Sequence, residues 1–255
     1  MTNLVLPEST LERAKLIVKI ADTLEEIESA FRLRYHVFVE EENNPNLQNE
    51  SRLEQDEYDL FCDHIIVKNQ ETNEVVGTYR IMLHQQALRG KGFYSETEFD
   101  LSGFHAFRPY SMELGRSCVH PDYRQGVVIQ MLWREIGQYV NRHHVQYLIG
   151  CASAYHLDSL KLRQIYTLLH NKKMITDRYG VKPLPSHRID DLHRLQEPMN
   201  EKEILRQCPP LLKGYMWLGA EIGGEPAYDP IFTTTDFFIV LETTKIAKRY
   251  KSFFA

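Results

Sequence analysis

The sequence contains few cysteines and no long apolar run. Its four cysteines, Cys62, Cys118, Cys151 and Cys208, lie far apart, and no two of them form a CxxC pair. This spacing argues against a zinc site and a disulfide framework, and it fits a reducing cytoplasm. No apolar run approaches the roughly 20 residues that a membrane-spanning helix needs. Residues 1–15 lack a basic start followed by an apolar stretch, so we expect no secretory signal.

The chain also lacks an overall positive charge. Thirty basic and 35 acidic side chains give a formal net charge of −5, so no positive field attracts nucleic acid. Apolar residues make up 43% and charged residues 25% of the 255 residues, which is typical of a globular protein with a substantial core. We therefore predict a single domain, residues 1–255, in the cytoplasm.

Charge is distributed unevenly along the chain. Residues 22–63 carry 13 acidic and three basic side chains, whereas residues 161–206 carry ten basic and six acidic ones. Two interpretations stay open. In the first, both charged segments are simply solvated faces of the protein. In the second, residues 22–63 border a pocket for a cation and residues 161–206 dock an acidic partner.

Hydrophobic periodicity predicts a mixed α/β fold in which helices flank one central sheet. Apolar residues at helical spacing indicate helices of about 15 residues after Thr23, over residues 129–140 and over residues 161–173. A loop-rich segment with one short helix forms a predicted insertion at about residues 155–210. Predicted strands cover residues 16–21, 64–68, 75–83, 111–119, 145–151, 213–221 and 236–241.

The strongest local motif is a strand-to-helix junction at residues 119–129 (VHPDYRQGVVI). Arg124 and Gly126 lie in its turn, just before the predicted helix. Unpaired N–H groups at the start of a helix attract anions, and a glycine lets a ligand approach the backbone. The junction therefore suits a phosphate, although it is neither a P-loop nor a GxGxxG fingerprint. An ordinary β–α turn is the alternative.

The junction resembles motif A of the GNAT acyltransferase superfamily, whose loop holds the pyrophosphate or phosphopantetheine arm of an acyl carrier. Val128 departs from the glycine or alanine that is usual there, which disfavours a standard acetyl-CoA enzyme. Further segments resemble the GNAT branch that transfers long acyl chains. This branch includes acyl-homoserine lactone synthases, long-chain N-acyl amino acid synthases and ornithine acyl-ACP N-acyltransferases. The segments are residues 31–38 (FRLRYHVF), 56–64 (DEYDLFCDH), 76–80 (VGTYR), 113–119 (ELGRSCV), 209–220 (PPLLKGYMWLGA) and 232–236 (FTTTD).

The resemblance implies a GNAT fold with a mostly antiparallel central sheet. It also implies transfer of a long acyl group, with or without a 3-hydroxyl, from acyl carrier protein or acyl-CoA to the amine of an amino acid, with ornithine as the best candidate. We expect no tightly bound cofactor and no metal. Acyl carrier protein is then the acidic partner for residues 161–206, and an amphiphilic product implies weak contact with a membrane surface.

Two alternatives to this function stay open. One is a short-chain acetyltransferase, and the other is a GNAT-like domain that binds acyl carriers without turnover. The acyl-carrier phosphate site implied by the resemblance comprises Cys118, Val119, Arg124, Gln125, Gly126, Val127 and Val128.

Attack of an amine on a thioester requires a base for the ammonium proton and N–H donors for the oxyanion. The resemblance implies as catalytic residues Glu113 as base, Arg116, and Tyr166 as proton donor to the leaving thiolate. Alternatives are a structural ion pair of Glu113 with Arg116 or Arg80, and a core position for Tyr166. The backbone of residues 117–119 is the predicted oxyanion site if the strand is splayed there. Cys118 is interpreted as a buried structural thiol rather than a nucleophile.

The resemblance also implies an ion-pair network near the acceptor amine, with a purely structural network as the alternative. An acceptor carboxylate favours an arginine, and a side-chain ammonium favours an acid such as Asp229 or Asp236. The predicted substrate-binding residues are Arg34, Asp56, Asp59, Arg80 and Asp236. Candidates for an acyl-chain channel, each with a core position as its alternative, are Phe93, Phe99, Phe104, Phe107 and Trp217.

Overall fold

A computed structural model describes residues 15–193 and 200–253. Its strands are β1 (Leu16–Ile20), β2 (Asp63–Asn69), β3 (Val75–Leu83), β4 (Phe99–Asp100), β5 (Ser111–Val119), β6 (Tyr147–Tyr155), β7 (Ile175–Thr176), β8 (Lys182–Pro183), β9 (Glu221–Gly223), β10 (Ala227–Asp229) and β11 (Thr234–Glu242). Its α-helices are α1 (Leu24–Tyr35), α2 (His84–Ala87), α3 (Val127–His143), α4 (Ser159–Asn171), α5 (Glu201–Gln207) and α6 (Pro210–Leu218).

Most of the described strands form one sheet. Their order is β1-β2-β3-β5-β6-β11-β9-β7, with β10 also paired to β11, while β4 and β8 form a separate pair. Neighbouring strands of the main sheet run antiparallel except for β5 with β6 and β7 with β9. The predicted mixed, mostly antiparallel sheet is confirmed.

Alternate residues of β2 face two different apolar layers. Ile65 and Val67 pack in the main core with residues of α3, α4 and α6. Ile66, between them, packs instead with Ala30 and Leu33 of α1. A strand that is buried on both faces lies between two layers of the fold. Helices therefore flank the sheet, as the sequence predicts.

The first helix starts where the sequence predicts and then changes its winding. Thr23 is the N-cap, and its Oγ1 accepts the amide N–H of Glu26 at 3.2 Å. The helical spacing of apolar residues continues past the end of α1 through a π-helical segment, His36–Glu41. This segment carries Val37, Phe38 and Glu41 to the junction before α3, where two of them border the cavity described below.

One predicted strand is wrong. Residues 213–221 lie mostly in α6, and only the end of the segment belongs to β9. Pro210 stands in the first turn, where its missing N–H costs nothing, and Gly219 ends the helix with φ 97°. The buried side chains of Leu212, Tyr215 and Leu218 recur every three residues, which is a helical spacing.

The segment that precedes the last strands contributes to the main sheet. The predicted insertion at residues 155–210 contains α4, β7, β8 and α5, and β7 pairs with β9. Its extent and the single-domain division stay predictions, and Arg194 and Glu197 of its charged stretch lie outside the described residues. Within the described ranges, every helix is too short or too polar to cross a membrane.

The space for Val128 comes from a glycine on β3. Val128 is fully buried in the first turn of α3, and Gly77 lies directly beneath it. A Cβ atom on Gly77 would lie 2.4 Å from Cγ1 of Val128, closer than the van der Waals surfaces allow. The departure from a small residue at position 128 is therefore matched by the absence of a side chain at position 77.

This contact predicts a coupled pair of substitutions. Gly77→Ala is expected to destabilise the protein by about 1–3 kcal/mol, because an extra methyl group overpacks a filled core. Val128→Ala alone is also destabilising, since it removes buried methyl groups. Urea unfolding of the double variant should show a smaller loss than the sum of the two single losses. Strictly additive losses would mean that the two side chains do not share this space.

Candidate active site

The β5 and β6 strands separate along part of their length. They pair in parallel only from Ser111 to Glu113 of β5, opposite Tyr147 to Ile149 of β6. On its other edge, β5 carries one extra residue against β3, because Thr78 pairs with Cys118 and Arg80 with Gly115. Arg116 lies in this bulge with φ 51°, a left-handed conformation that costs energy for a residue with a side chain. The β5 strand is therefore separated from β6 at residues 117–119, which is the condition under which their backbone could serve as the oxyanion site.

A cavity of about 560 Å³ occupies the opening between these strands, a volume typical of small-molecule sites. Its walls combine β5 residues from Glu113 to Val119 with Cys151, Ser153 and Tyr155 of β6. The turn before α3 borders one side and the start of α6 another. The apolar part of the lining includes Val37, Phe38, Leu114, Ile129, Leu211 and Phe232.

The turn before α3 has the geometry of an anion site. Gly126 precedes α3 with φ 100°, and a Cβ there would meet nothing within 4 Å, so the backbone is open to a ligand. Arg124 lines the cavity and forms a two-pronged ion pair with Glu41, with Nη2 2.7 Å from Oε2. An incoming phosphate would compete with Glu41 for this guanidinium.

The predicted phosphate-site residues divide into two groups. Cys118, Val119, Arg124 and Gly126 line the cavity. Gln125, Val127 and Val128 do not. The Gln125 amide donates to the carbonyl oxygen of Asp122 at 3.0 Å, Val127 is exposed, and Val128 packs against β3.

Glu113 lies on the cavity wall and is held by a turn of the preceding loop. Its Oε1 accepts the backbone N–H of Ser95 at 2.8 Å and the Ser95 hydroxyl at 2.6 Å, and its Oε2 accepts the backbone N–H of Tyr94 at 2.7 Å. Burial raises the pKa of Glu113, and the hydrogen bonds from Ser95 and Tyr94 partly oppose this. The alternative of an ion pair with Arg80 or Arg116 is not what the structure has.

Three arginines, of which Arg116 is one, and three carboxylates form a buried ion-pair network. Arg34 donates to both oxygens of Asp59 at 2.8 and 3.0 Å, and it also pairs with Glu54. Arg80 donates to Asp56 at 2.6 Å. Arg116 bridges the network, with Nε 3.0 Å from Glu54 and Nη2 2.7 Å from Asp56.

Only Arg116 of this network reaches the cavity wall. The ion-pair network that the resemblance implies is present, but Arg34, Asp56, Asp59 and Arg80 do not line the cavity. Their contact with a substrate stays a prediction. Burial alone would raise the pKa of Glu54, but Arg116 and Arg34 lower it. Sequence reasoning missed Glu54, which stands within the acidic segment 22–63 but outside the quoted motifs.

Part of the cavity wall is acidic. Asp229 and Asp236 both line it and are both buried. Asp236 accepts the hydroxyls of Thr234 at 2.7 Å and Ser153 at 3.0 Å. Burial and, to a smaller extent, the neighbouring Asp229 raise the pKa of Asp236 to about 6. The predicted position of Asp236 at a substrate site is compatible with this geometry.

Tyr166 does not line the cavity. It packs in the main core from α4, with its ring 5.4 Å from that of His193. We therefore drop its predicted role at the thioester. Five other tyrosines, which sequence reasoning missed, do line the cavity. Among them, Tyr79 and Tyr215 lie in quoted motifs, and their hydroxyls are 3.1 Å apart.

Cys118 lines the cavity as a neutral thiol. Burial raises its pKa, so the thiolate that a nucleophile requires is disfavoured, in agreement with a structural thiol. None of the five candidates for an acyl channel lines the cavity, and four of them have the core position that was their alternative. Phe93, Phe99 and Phe104 are buried in a second apolar cluster with Phe107 packed against it, whereas Trp217 is 57% exposed.

Comparisons with known proteins agree with this geometry. Residues 33–134 match the acetyltransferase (GNAT) domain family. The chain is 36% identical to the L-ornithine N(alpha)-acyltransferase of Brucella abortus over 249 residues, which cover 94% of this chain and 88% of that protein. It is 32% identical to the enzyme of the same name from Rhodobacter capsulatus, with 93% of each chain covered.

Two solved structures share the fold at low sequence identity. The acyl-homoserine lactone synthase LasI superposes with a TM-score of 0.53 and 13% identity, over 94% of this chain and 95% of LasI. FeeM, an N-acyl amino acid synthase from uncultured soil microbes, gives 0.53 and 10%, over 94% of this chain and all of FeeM. Sequence and fold together show that this chain is a GNAT acyltransferase and belongs to the L-ornithine N(alpha)-acyltransferase family.

Proposed function

We propose that the protein transfers a long acyl group from the thioester of acyl carrier protein to the α-amine of ornithine. The observation that carries this proposal is the cavity between β5 and β6. There a buried carboxylate, an arginine and a pair of acids surround one space beside an open helix N-terminus. The name shared by relatives at 32–36% identity supports ornithine as acceptor.

The donor enters beside α3. Its phosphate binds at Gly126 and Arg124, where it replaces Glu41, and its pantetheine arm follows the β5 edge to the opening. The acyl chain lies along the apolar lining near Phe38, Ile129 and Leu211. Each buried CH₂ group contributes about 0.8 kcal/mol, so the chain supplies much of the affinity for a long acyl donor.

Glu113 removes a proton from the acceptor ammonium, directly or through a water molecule. A carboxylate oxygen has two lone pairs, and in the described structure Oε2 accepts one N–H whereas Oε1 accepts two donors, so Oε2 has room for the proton. The neutral amine attacks the thioester carbonyl, and backbone N–H groups of the β5 edge stabilise the oxyanion. Collapse of the intermediate breaks the C–S bond, and the second proton lost by the attacking nitrogen protonates the leaving thiolate.

The charges on the two sides of the cavity orient the acceptor. Arg116 faces the acceptor carboxylate, while Asp236 and Asp229 face its side-chain ammonium. Arg116 is already fixed by Glu54 and Asp56, so little side-chain freedom is lost when the substrate binds.

The basic residues of segment 161–206 dock the carrier protein, and the amphiphilic product leaves towards a membrane surface. In the described part of this segment, Lys161 pairs with Asp158 and Lys172 with Glu201 on exposed surface. Such exposed pairs contribute little and exchange readily for an acidic partner.

A donor and acceptor assay tests the proposed function. Purified protein is incubated with palmitoyl-ACP or 3-hydroxypalmitoyl-ACP and ornithine, and release of free thiol is followed with mass analysis of the product. We expect thiol release that depends on ornithine. Release with acetyl-CoA alone as donor would point to a short-chain acetyltransferase, and no release with any amino acid would point to a carrier-binding domain.

Glu113→Gln is expected to lower kcat by about 10²- to 10⁴-fold, the usual contribution of a general base. The difference in kcat between the variant and the native protein should become smaller as the pH rises to 9, because more of the acceptor amine is then neutral before it binds. Glu74→Gln, in an exposed turn, is the matched control and should leave kcat unchanged. An undiminished kcat for Glu113→Gln at pH 7 would remove Glu113 from this role.

A further inference from the structure

Glu98 is a buried carboxyl group that nothing in the mechanism above uses. Its side chain is almost fully buried, and neither carboxylate oxygen has a hydrogen-bond partner among the described residues. Leaving a buried polar group unpaired is costly, and native proteins rarely do so without a reason. Glu98 follows the short turn that holds Glu113, so it lies close to the acceptor side of the cavity.

The unpartnered carboxyl of Glu98 meets the acidic side of the cavity. Ligand atoms of Glu98, Cys151 and Asp236 all lie within 4.8 Å of one another, and Cys151 and Asp236 line the cavity. Glu98 therefore stands directly behind the wall at this point. Together with Asp229, the cluster offers three carboxyl groups to one small space.

We infer that Glu98 is the specificity-determining residue of a subsite, shared with Asp236 and Asp229, that receives the terminal ammonium of a diamino acid. The inference rests on the proposed function, and it adds the feature that separates ornithine from amino acids with apolar side chains. An alkylammonium has three N–H donors, and the subsite has three carboxyl groups to accept them. Acceptors arranged tetrahedrally at about 2.8 Å from a nitrogen lie about 4.6 Å apart. Carboxylate oxygens of Glu98 and Asp236 lie within 4.8 Å of each other, so one nitrogen can reach both.

The electrostatics of the subsite favour a cation. Burial raises the pKa of Glu98 well above its ordinary value, and Asp236 and Asp229 raise it further. Arg116 acts in the opposite direction from β5 but is itself paired with Glu54 and Asp56. A bound ammonium would stabilise the ionised form of Glu98, which releases its proton, and would supply the partner that Glu98 lacks.

An organic ammonium fits this cluster better than a metal ion does. A metal would require the thiolate of Cys151, and burial together with Glu98 and Asp236 raises the pKa of that thiol well above its ordinary value. The Cys151 thiol donates instead towards the hydroxyl of Ser95 at 3.5 Å, in a chain that ends at Glu113. The subsite and the catalytic carboxylate are thus joined through two side chains.

The test compares ornithine with norvaline, which has the same carbon chain but no terminal ammonium. For the native protein, kcat/KM should favour ornithine strongly over norvaline. Glu98→Gln should raise KM for ornithine about 10- to 100-fold, the range for a hydrogen bond to a charged group. It should leave KM for the acyl donor unchanged and reduce the preference for ornithine over norvaline by a similar factor.

Two controls separate a specificity role from a structural one. Glu225→Gln removes an exposed acid of the same type and should change neither KM. Glu98→Gln should keep or raise the thermal unfolding temperature at pH 8. The pKa of Glu98 is higher in the folded than in the unfolded protein, so the stability that Glu98 contributes at low pH is lost as the pH rises through its folded pKa. The glutamine side chain of the variant does not ionise and therefore avoids this loss.

The outcomes are distinguishable from a failure of the proposed function. If the native protein acylates no amino acid, the proposed function itself fails. If it acylates ornithine and Glu98→Gln keeps the full ornithine preference, only this inference is overturned. Tight binding of Zn²⁺ that Glu98→Gln abolishes, with ornithine preference retained, would also overturn it in favour of a metal site.

Discussion

The active site depends on a buried ion-pair network that fixes Arg116 in the bulge of β5. Glu54 and Asp56 hold its guanidinium from behind, while Arg34, Asp59 and Arg80 neutralise the rest of the network. Removing one member of such a network leaves an uncompensated buried charge, at a cost of about 3–5 kcal/mol. The same contacts therefore stabilise the fold and fix Arg116 in the part of β5 that is not paired with β6, where the cavity lies.

The charge inside the cavity is arranged by the sheet itself. Arg116 comes from the bulge of β5, Asp236 from the middle of the sheet on β11, and Asp229 from the paired strand β10. Glu113 stands where the parallel pairing of β5 and β6 ends, so its carboxylate lies at the point where the strands separate. An acceptor with a carboxylate and two amines can thus be aligned by groups that belong to rigid strands rather than to loops.

Much of the fold could be predicted because, in most segments, the spacing of apolar residues and the residues at the turns indicate the same helix or strand. The helix after Thr23, the turn that precedes α3 and the mostly antiparallel sheet all follow from local pattern together with the resemblance to GNAT proteins. The strand predicted over residues 213–221 failed because Lys213 and Gly214 interrupt the apolar spacing of α6, which hides a helix bounded by Pro210 and Gly219.

Several predicted site residues do not line the cavity, and the reason is the same for all of them. Residue type alone does not reveal whether an arginine, a carboxylate or a phenylalanine faces a cavity or another side chain. Arg34 and Asp59 carry charges that would suit a substrate, but they form an ion pair with each other. Phe104 packs against Phe238 in the core. Glu98 was not predicted because it is distinguished by a buried carboxyl group without a hydrogen-bond partner, and a sequence does not show hydrogen bonds.

The proposed arrangement of donor and acceptor can be seen in a crystal structure with ornithine and a non-hydrolysable acyl-pantetheine ketone. We expect the ketone oxygen against the backbone of residues 117–119 and the α-amine within hydrogen-bond reach of Oε2 of Glu113, directly or through one water. A pantetheine arm bound outside the opening between β5 and β6, or an α-amine remote from Glu113, would contradict this arrangement.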